Sequence, residues 1–449
     1  MSRKPVVVFL LYHGKGHFNA CFKPARILSQ THRVIFAGVE FFKDHVVNQG
    51  IEYYPLKTVP FGTGLEQWMN TIEKKTNVYF RTVRDRFNDR LYKIREQELI
   101  KLIEICRPDH ILLDAQQSTD FIVLYPIIKD SAVKLSLIHT MLPTTLVDNV
   151  PPINCLALPG NIDEIQEGHK RFRKQKLKRK LIQGIKFFGM NDQAIIRRRI
   201  RMNKIPSSFI SKRQSLFPFN LTQIPEFILV PKGFEYPDVS LTENQHYIGL
   251  QIDNDRIEIV DPEYISQSPA IYEQVRSSNL KLIYCSFGTV ALADRPGVIL
   301  FFRKLVDAIN TKEYFLLISF PLTSEERKVL ASDKENIRCF NTVPQLEVLS
   351  KTDLFVSHGG LNSVKESIDA GVPMLVYPTD SYYDQKGNSG RVVYHKLGLR
   401  GDILLDTVNE ISDKINSILT DSEYKERVIR LKATDNNHDL GDLSVYINS

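Results

Sequence analysis

Twice along this chain a short apolar run leads into a glycine turn and then into a helical stretch, and each time further strand–helix pairs follow. The first start is "VVVFLL" (6–11), which enters "YHGKGHFNA"; the second is "KLIYCSFGT" (281–289). Runs this short, rich in β-branched residues and bounded by turn residues, predict buried strands. After the first start come "HRVIFAG" (32–38), "HILLD" (110–114) and "KLSLIHT" (134–140); after the second come "YFLLIS" (314–319), "DLFVSHGG" (353–360) and "PMLVYP" (373–378). Strands alternating with helical stretches predict mostly parallel sheets covered by helices on both faces. Pro206, Pro218, Pro225, Pro231 and Pro237 cluster where the first series ends. The expected fold is α/β, with two Rossmann-like domains at 1–240 and 241–430 and a tail, 431–449, packing back on the first. In such sheets ligands sit beyond the carboxyl ends of strands. His13–His17 and Ser286–Thr289 occupy two such ends, one per domain, and a cleft would bring them face to face.

Composition narrows the classes. With 43% hydrophobic and 25% charged residues the chain is globular. No apolar run reaches the roughly 18 residues of a membrane helix. The run after Met1-Ser2-Arg3-Lys4 is too short for a signal-peptide core, which predicts a cytoplasmic protein. The five cysteines show no C-x-x-C spacing and suit neither a zinc site nor a disulfide framework. The net charge of +7 is uneven: residues 170–204 hold fourteen Lys and Arg against Asp192 alone, a net +13, so the remainder is net −6. This argues against a general nucleic-acid-binding surface and for one local electrostatic feature. Phe172, Leu181, Ile182, Ile185 and Phe188 recur among these cations at roughly helical spacing. The segment is either a solvated helix with one core face or a cationic amphipathic surface for anionic membrane lipid or an acidic acceptor. "DND" (253–255) imitates the D-x-D of metal-dependent transferases, but it lies in a polar stretch between the domains and is read as a solvated linker; no metal is expected.

The opening loop is not a dinucleotide fingerprint, because the last glycine of G-x-G-x-x-G is replaced by Asn19. What remains is His17 at about the start of a helix. It is either a hydrogen-bonded structural histidine or a general base, since neutral imidazole takes a proton near neutral pH. A base needs a carboxylate on its other nitrogen. Asp114 ends a strand at the same sheet edge, whereas Asp109 precedes that strand and would lie at the wrong end. In the second half, "SHGGLNS" ends a strand and begins a helix, where backbone N–H groups and the helix dipole favour an anion. His358, Asn362 and Ser363 add donors, Glu366 one turn on can accept from ribose hydroxyls, and Asp384-Gln385 suit a sugar.

The 44 residues from Thr342 to Gln385 resemble the donor-binding signature of the UDP-glycosyltransferases, the inverting family with the GT-B fold. "VPQ", "HGG-NS--E", "GVP" and "DQ" stand in register; "GHFNA" is similar to the family's "GHxNP", with Ala20 for the proline, and "SFGT" (286–289) to its phosphate-binding turn. The resemblance implies that His17 deprotonates an acceptor and that Asp114 holds it. It implies a diphosphate cradle of Gly288, Thr289, His358, Gly360, Asn362 and Ser363. Thr342, Val343, Gln345 and Glu366 would line the nucleoside, and Thr140, Asp384 and Gln385 the sugar. Gly16 and Phe18 would face the acceptor. The implied reaction is metal-independent, cofactor-free inverting transfer of a hexose, glucose by the lean of Gln385, from a UDP-sugar to a small lipophilic or aromatic acceptor. Two alternatives compete: a UDP-sugar epimerase on the same fold, and a non-catalytic sugar-nucleotide binder. The second rests on Thr342, which stands where the family has an aromatic residue that stacks on uracil. Phe340 is the nearest aromatic before it.

Overall fold

The computed structural model describes residues 3–239, 242–288, 295–331, 334–435, 443, 446 and 447. Seven strands build the first sheet: β1 (Val6–Leu10), β2 (Arg33–Val39), β3 (Glu52–Leu56), β4 (His110–Asp114), β5 (Lys134–His139), β6 (Glu226–Ile228) and β7 (Gln245–Tyr247). Six build the second: β8 (Lys281–Ser286), β9 (Tyr314–Ser319), β10 (Ile337–Phe340), β11 (Leu354–Ser357), β12 (Met374–Val376) and β13 (Gly398–Arg400). The orders are β3-β2-β1-β4-β5-β6-β7 and β10-β9-β8-β11-β12-β13, and every pairing is parallel. Central strands are buried along their whole length, β1 at 0–1% exposure, because helices cover both faces. In each sheet the chain first runs outward from its opening strand and then returns to that strand's other side. The switch points lie between β1 and β4 and between β8 and β11, where ligands bind in sheets of this type.

Strands that the sequence pattern does not announce are short or marginal. β3 carries Pro55, β10 has four residues, and β6, β7 and β13 have three each. β7 lies past residue 240, so the first sheet reaches beyond the expected boundary. At the other end of the chain, Leu443 and Ile447 are buried beside Phe227 and Leu229 of the first domain.

The "DND" stretch is not a solvated linker. Asp253 is buried and accepts from Arg26 Nε at 2.9 and 2.8 Å, tying the interdomain segment to the helix Lys15–Ser29. Gln49 pins the same segment by a reciprocal pair with the backbone of Ile257, at 2.7 and 2.8 Å. An acid here serves as a clamp because an unpaired buried carboxylate is costly.

A second buried pair holds the first domain. Arg95 donates to Asp120, with Nε–Oδ1 at 3.1 Å and Nη2–Oδ2 at 2.5 Å, and its Nη1 reaches the Thr58 carbonyl at 2.8 Å. Arg95→Met strands Asp120, which is 0% exposed, and is expected to cost about 3–5 kcal/mol in urea unfolding.

Burial also gives the fold an acid limit. It pushes the pKa of both His110 and His358 down from 6.5 to about 4. Below pH 6.5 the unfolded chain binds these two protons and the folded chain does not. Stability is therefore full above pH 6.5 and falls as pH drops through the window from 6.5 to 4. Urea midpoints that stay flat across that window would contradict the assignment.

Candidate active site

The helix Lys15–Ser29 follows β1 after a short loop, with Gly14 at its N-cap and Gly16 in its first turn. A Cβ on Gly14 would meet the His17 ring at 2.9 Å, so glycine leaves the room that the imidazole occupies. β1 and β4 are neighbours in register, with Leu10 beside Leu113, which brings Asp114 to the same edge. His17 Nδ1 lies 2.7 Å from Asp114 Oδ2, and both side chains are largely buried. The orientation of the carboxylate is set from behind. Gln116 N–H donates to Oδ1 at 2.9 Å, which leaves Oδ2 to accept from Nδ1–H. Thr140, just past β5, places Oγ1 2.6 Å from Nδ1 and 3.3 Å from Oδ2. Its hydroxyl can donate to the carboxylate while its oxygen shares the Nδ1 proton. That arrangement protonates Nδ1 and leaves the Nε2 lone pair free. Asp109 is at the far end of β4, where its carboxylate accepts from Val6 N–H at 2.7 Å.

Across the cleft, β11 ends in His358-Gly359-Gly360 and the helix Leu361–Ala370 begins. No side chain caps that helix, so its first N–H groups stay open. His358 is buried between two glycines: a Cβ on Gly288 would meet its ring at 3.0 Å and one on Gly360 at 2.7 Å. Asn362 Nδ2 donates to the Gly16 carbonyl at 2.6 Å, so the two expected loops do face each other. Ser363 is half-buried on the same first turn, and Thr289 lies outside the described residues.

Several expected site residues stand differently from the sequence reading. Phe18 does not face a ligand. It is 0% exposed and packs on Phe36, Phe42 and Tyr53, one helical step round from His17. Val343 and Phe340 are core residues, Phe340 standing edge-on to Tyr264, so neither side chain offers a stacking face. Thr342 is exposed, and its carbonyl accepts from Asp261 N–H at 3.0 Å. Glu366 is buried with both oxygens engaged, one by Gln345 Nε2 at 2.5 Å and one by Arg256 Nη1 at 2.8 Å. Arg256 also bonds Glu258 at 2.6 Å. Sequence reasoning missed Arg256 because its partner is 110 residues away. Gln385 turns its carbonyl to Thr379 and Asp380 N–H at 2.8 and 2.9 Å, and Asp384 accepts from Asn388 at 2.9 Å. Burial pushes the Asp384 carboxyl pKa up, while nearby His17 works in the opposite direction.

The acceptor side was the least legible. Tyr12, His13 and Trp68 form an aromatic row beside His17, with ring centroids 3.9 Å apart for the first pair and 5.8 Å for the second. Burial pushes His13 down to about 4. A small cavity at Asp114, Gln116 and Thr140 shares Thr145, Asn220 and Glu226 with a chamber of about 450 Å³, whose wall includes Pro143, Leu146, Val147 and Val150. That volume is in the range of small-molecule sites.

Two parallel-sheet domains of this topology, facing each other across a cleft, have the GT-B fold. The glycosyltransferase of kitacinnamycin has the same fold, with a TM-score of 0.70 at 19% identity over 100% of this chain and 99% of that one. The glycosyltransferase VinC, solved in complex with dTDP, superposes with a TM-score of 0.63 at 13% identity over 98% and 99%. Residues 282–445 match the family model described as UDP-glucoronosyl and UDP-glucosyl transferase. The NDP-glycosyltransferase YjiC of Bacillus subtilis (strain 168) is 33% identical over 128 residues, 28% of this chain and 32% of that protein. The zeaxanthin glucosyltransferase of Pantoea ananas is 28% identical over 158 residues, 35% of each. The matches thus span about a third of those two relatives' length. The likeness to that family model lies in the C-terminal part of the chain.

Proposed function

We propose that this protein transfers a hexose, glucose first among them, from a UDP-sugar to a hydroxyl of a small lipophilic acceptor with inversion at the anomeric carbon. The observation that carries the reading is the His17–Asp114 pair at 2.7 Å, directly across from the open helix start at Gly360. His17 Nε2 takes the acceptor proton as the acceptor oxygen attacks the anomeric carbon. Asp114 and Thr140 hold the ring and balance the imidazolium charge. The C–O bond to the diphosphate breaks on the opposite face. Negative charge then builds on the leaving diphosphate, where the N–H groups of Leu361–Ser363 and the helix dipole favour it. Those fixed dipoles supply what a metal ion supplies elsewhere, so the reaction runs without one. Glu366, held by Gln345 and Arg256, meets the ribose; Asp384 and Gln385 meet the sugar.

Leu146, Val147 and Val150 give one side of the 450 Å³ chamber an apolar surface that suits the body of a lipophilic acceptor, and Lys212, Arg213, Glu226 and Arg391 line the rest, where its polar groups would lie. One relative, the zeaxanthin glucosyltransferase, is named for such an alcohol. Five free cysteines, four of them buried, suit a reducing, cytoplasmic setting. Proton NMR of the product tests the stereochemistry. An α-linked UDP-glucose donor yields a β-glucoside by this mechanism, in EDTA as in buffer. An α-glucoside product, or a sugar converted with no acceptor present, refutes it.

A further inference from the structure

The helix Ile162–Lys186 has an outward face that nothing in the described fold covers. Its first half is anchored by Ile165, His169 and Phe172, all buried. Lys176, Arg179 and Gln183 carry that inner face onward, along a cavity shared with Tyr382 of the second domain. On the other side stand Leu177, Leu181 and Ile185, each four residues from the next, at 56%, 58% and 82% exposure. Ile182 and Phe188 extend the patch at 53% and 69%. A helix on the surface of a globular protein ordinarily turns polar groups to solvent. Here the solvent side sets three large aliphatic side chains among exposed lysines.

The charges are placed to match. At about 100° per residue, Lys174 falls within the arc of Leu177, Leu181 and Ile185, and Lys178 lies just beyond its edge. Among the described residues neither they nor Arg173 and Lys180 have an acidic partner, in contrast to Arg171 and Arg179 of the same helix. The patch also leads to the site. Tyr79 Oη donates to the Lys186 carbonyl at 2.7 Å, which sets Phe80, 72% exposed, alongside the helix end. Lys186 Nζ donates to Gln67 Oε1 at 3.0 Å, next to Trp68, and Trp68 stacks on His13 beside His17.

We propose that this face docks on an anionic lipid bilayer. The helix lies in the headgroup plane. Leu177, Leu181, Ile185 and Phe188 enter the acyl boundary, and Lys174 and Lys178 reach back to the lipid phosphates along their aliphatic stems. Charge selects this occupant over a second copy of the chain. A symmetric contact would set Arg173, Lys174, Lys178 and Lys180 against their own copies, whereas an anionic leaflet attracts each of them. Docking brings the mouth of the cleft to the bilayer, so an acceptor dissolved in lipid would enter past Trp68. That consequence rests on the transferase reading; the docking itself does not.

Co-sedimentation of the full chain tests it, with vesicles of phosphatidylcholine alone and of phosphatidylcholine mixed with phosphatidylglycerol. Binding is expected only to the anionic vesicles and should weaken as salt rises. Leu181→Glu combined with Ile185→Glu should abolish it. Lys174→Gln combined with Lys178→Gln should weaken it about thirtyfold. All four side chains are exposed, so thermal melts should match the parent chain. UDP affinity, measured on the same variants, should not change, which separates failure of the docking from failure of the transferase reading. No vesicle binding, equal binding to neutral vesicles, or a concentration-dependent dimer that Ile185→Glu dissolves would overturn the proposal.

Discussion

His17→Ala is expected to lower the rate of glycosyl transfer by about 10²–10⁴-fold, the usual contribution of a positioned general base. Donor affinity should change little. The imidazole sits on the first-domain side of the cleft, and the open helix start and Glu366 are on the other. His17 also sits in the first turn of a helix whose buried face is built by Phe18, Cys21, Phe22 and Ala25, so the fold should survive the loss of its ring. A variant that lost UDP binding and turnover together would point to a structural histidine. Separate measurement of UDP affinity and of transfer rate distinguishes the two.

Asp114→Asn is nearly isosteric, and its effect should be of the same order, for a reason visible in the geometry. Gln116 N–H donates to Oδ1 at 2.9 Å and fixes that position as an acceptor. An asparagine must therefore keep its carbonyl there and turn its NH₂ toward His17 Nδ1. The ring is then hydrogen-bonded in the other tautomer, with Nε2–H facing the acceptor and no lone pair to receive the proton. A loss of about 10²–10⁴-fold in rate is expected, with unchanged stability and UDP affinity. Full activity in this variant would mean that Asp114 acts only as a spacer.

The pairing of His17 with Asp114 was legible because parallel strands deliver their last residues to one edge, and β1 and β4 are the neighbours at the switch point. Asp109 was set aside on the same logic, and it caps the opposite edge. The glycine-rich start at Gly360 was legible because strand, glycines and helix follow one another in sequence. Arg256 and the buried role of Asp253 were not. Each depends on a partner far along the chain, Glu366 and Arg26, and local pattern carries no trace of it. Phe18 shows the limit of adjacency: one residue past His17 turns a side chain about 100°, out of the cleft and into the first-domain core. The reach of β7 past residue 240 was hidden because "QHY" is short and polar. The basic helix could be read two ways until its outward face was known. Its apolar residues fall on two sides, Phe172 inward and Leu177, Leu181 and Ile185 outward, so spacing alone does not separate the two readings.

The most direct test is UDP release from UDP-glucose by the purified chain in EDTA, with a mixed panel of phenolic, terpenoid and lipid alcohols. Mass spectrometry of the acceptors and His17→Ala run alongside. Acceptor-dependent release that gains one hexose on the acceptor and is lost in the variant is the expected result. UDP-sugar bound without release would contradict it and make the chain a binding protein, with Thr342 in place of the stacking aromatic as the first residue to restore.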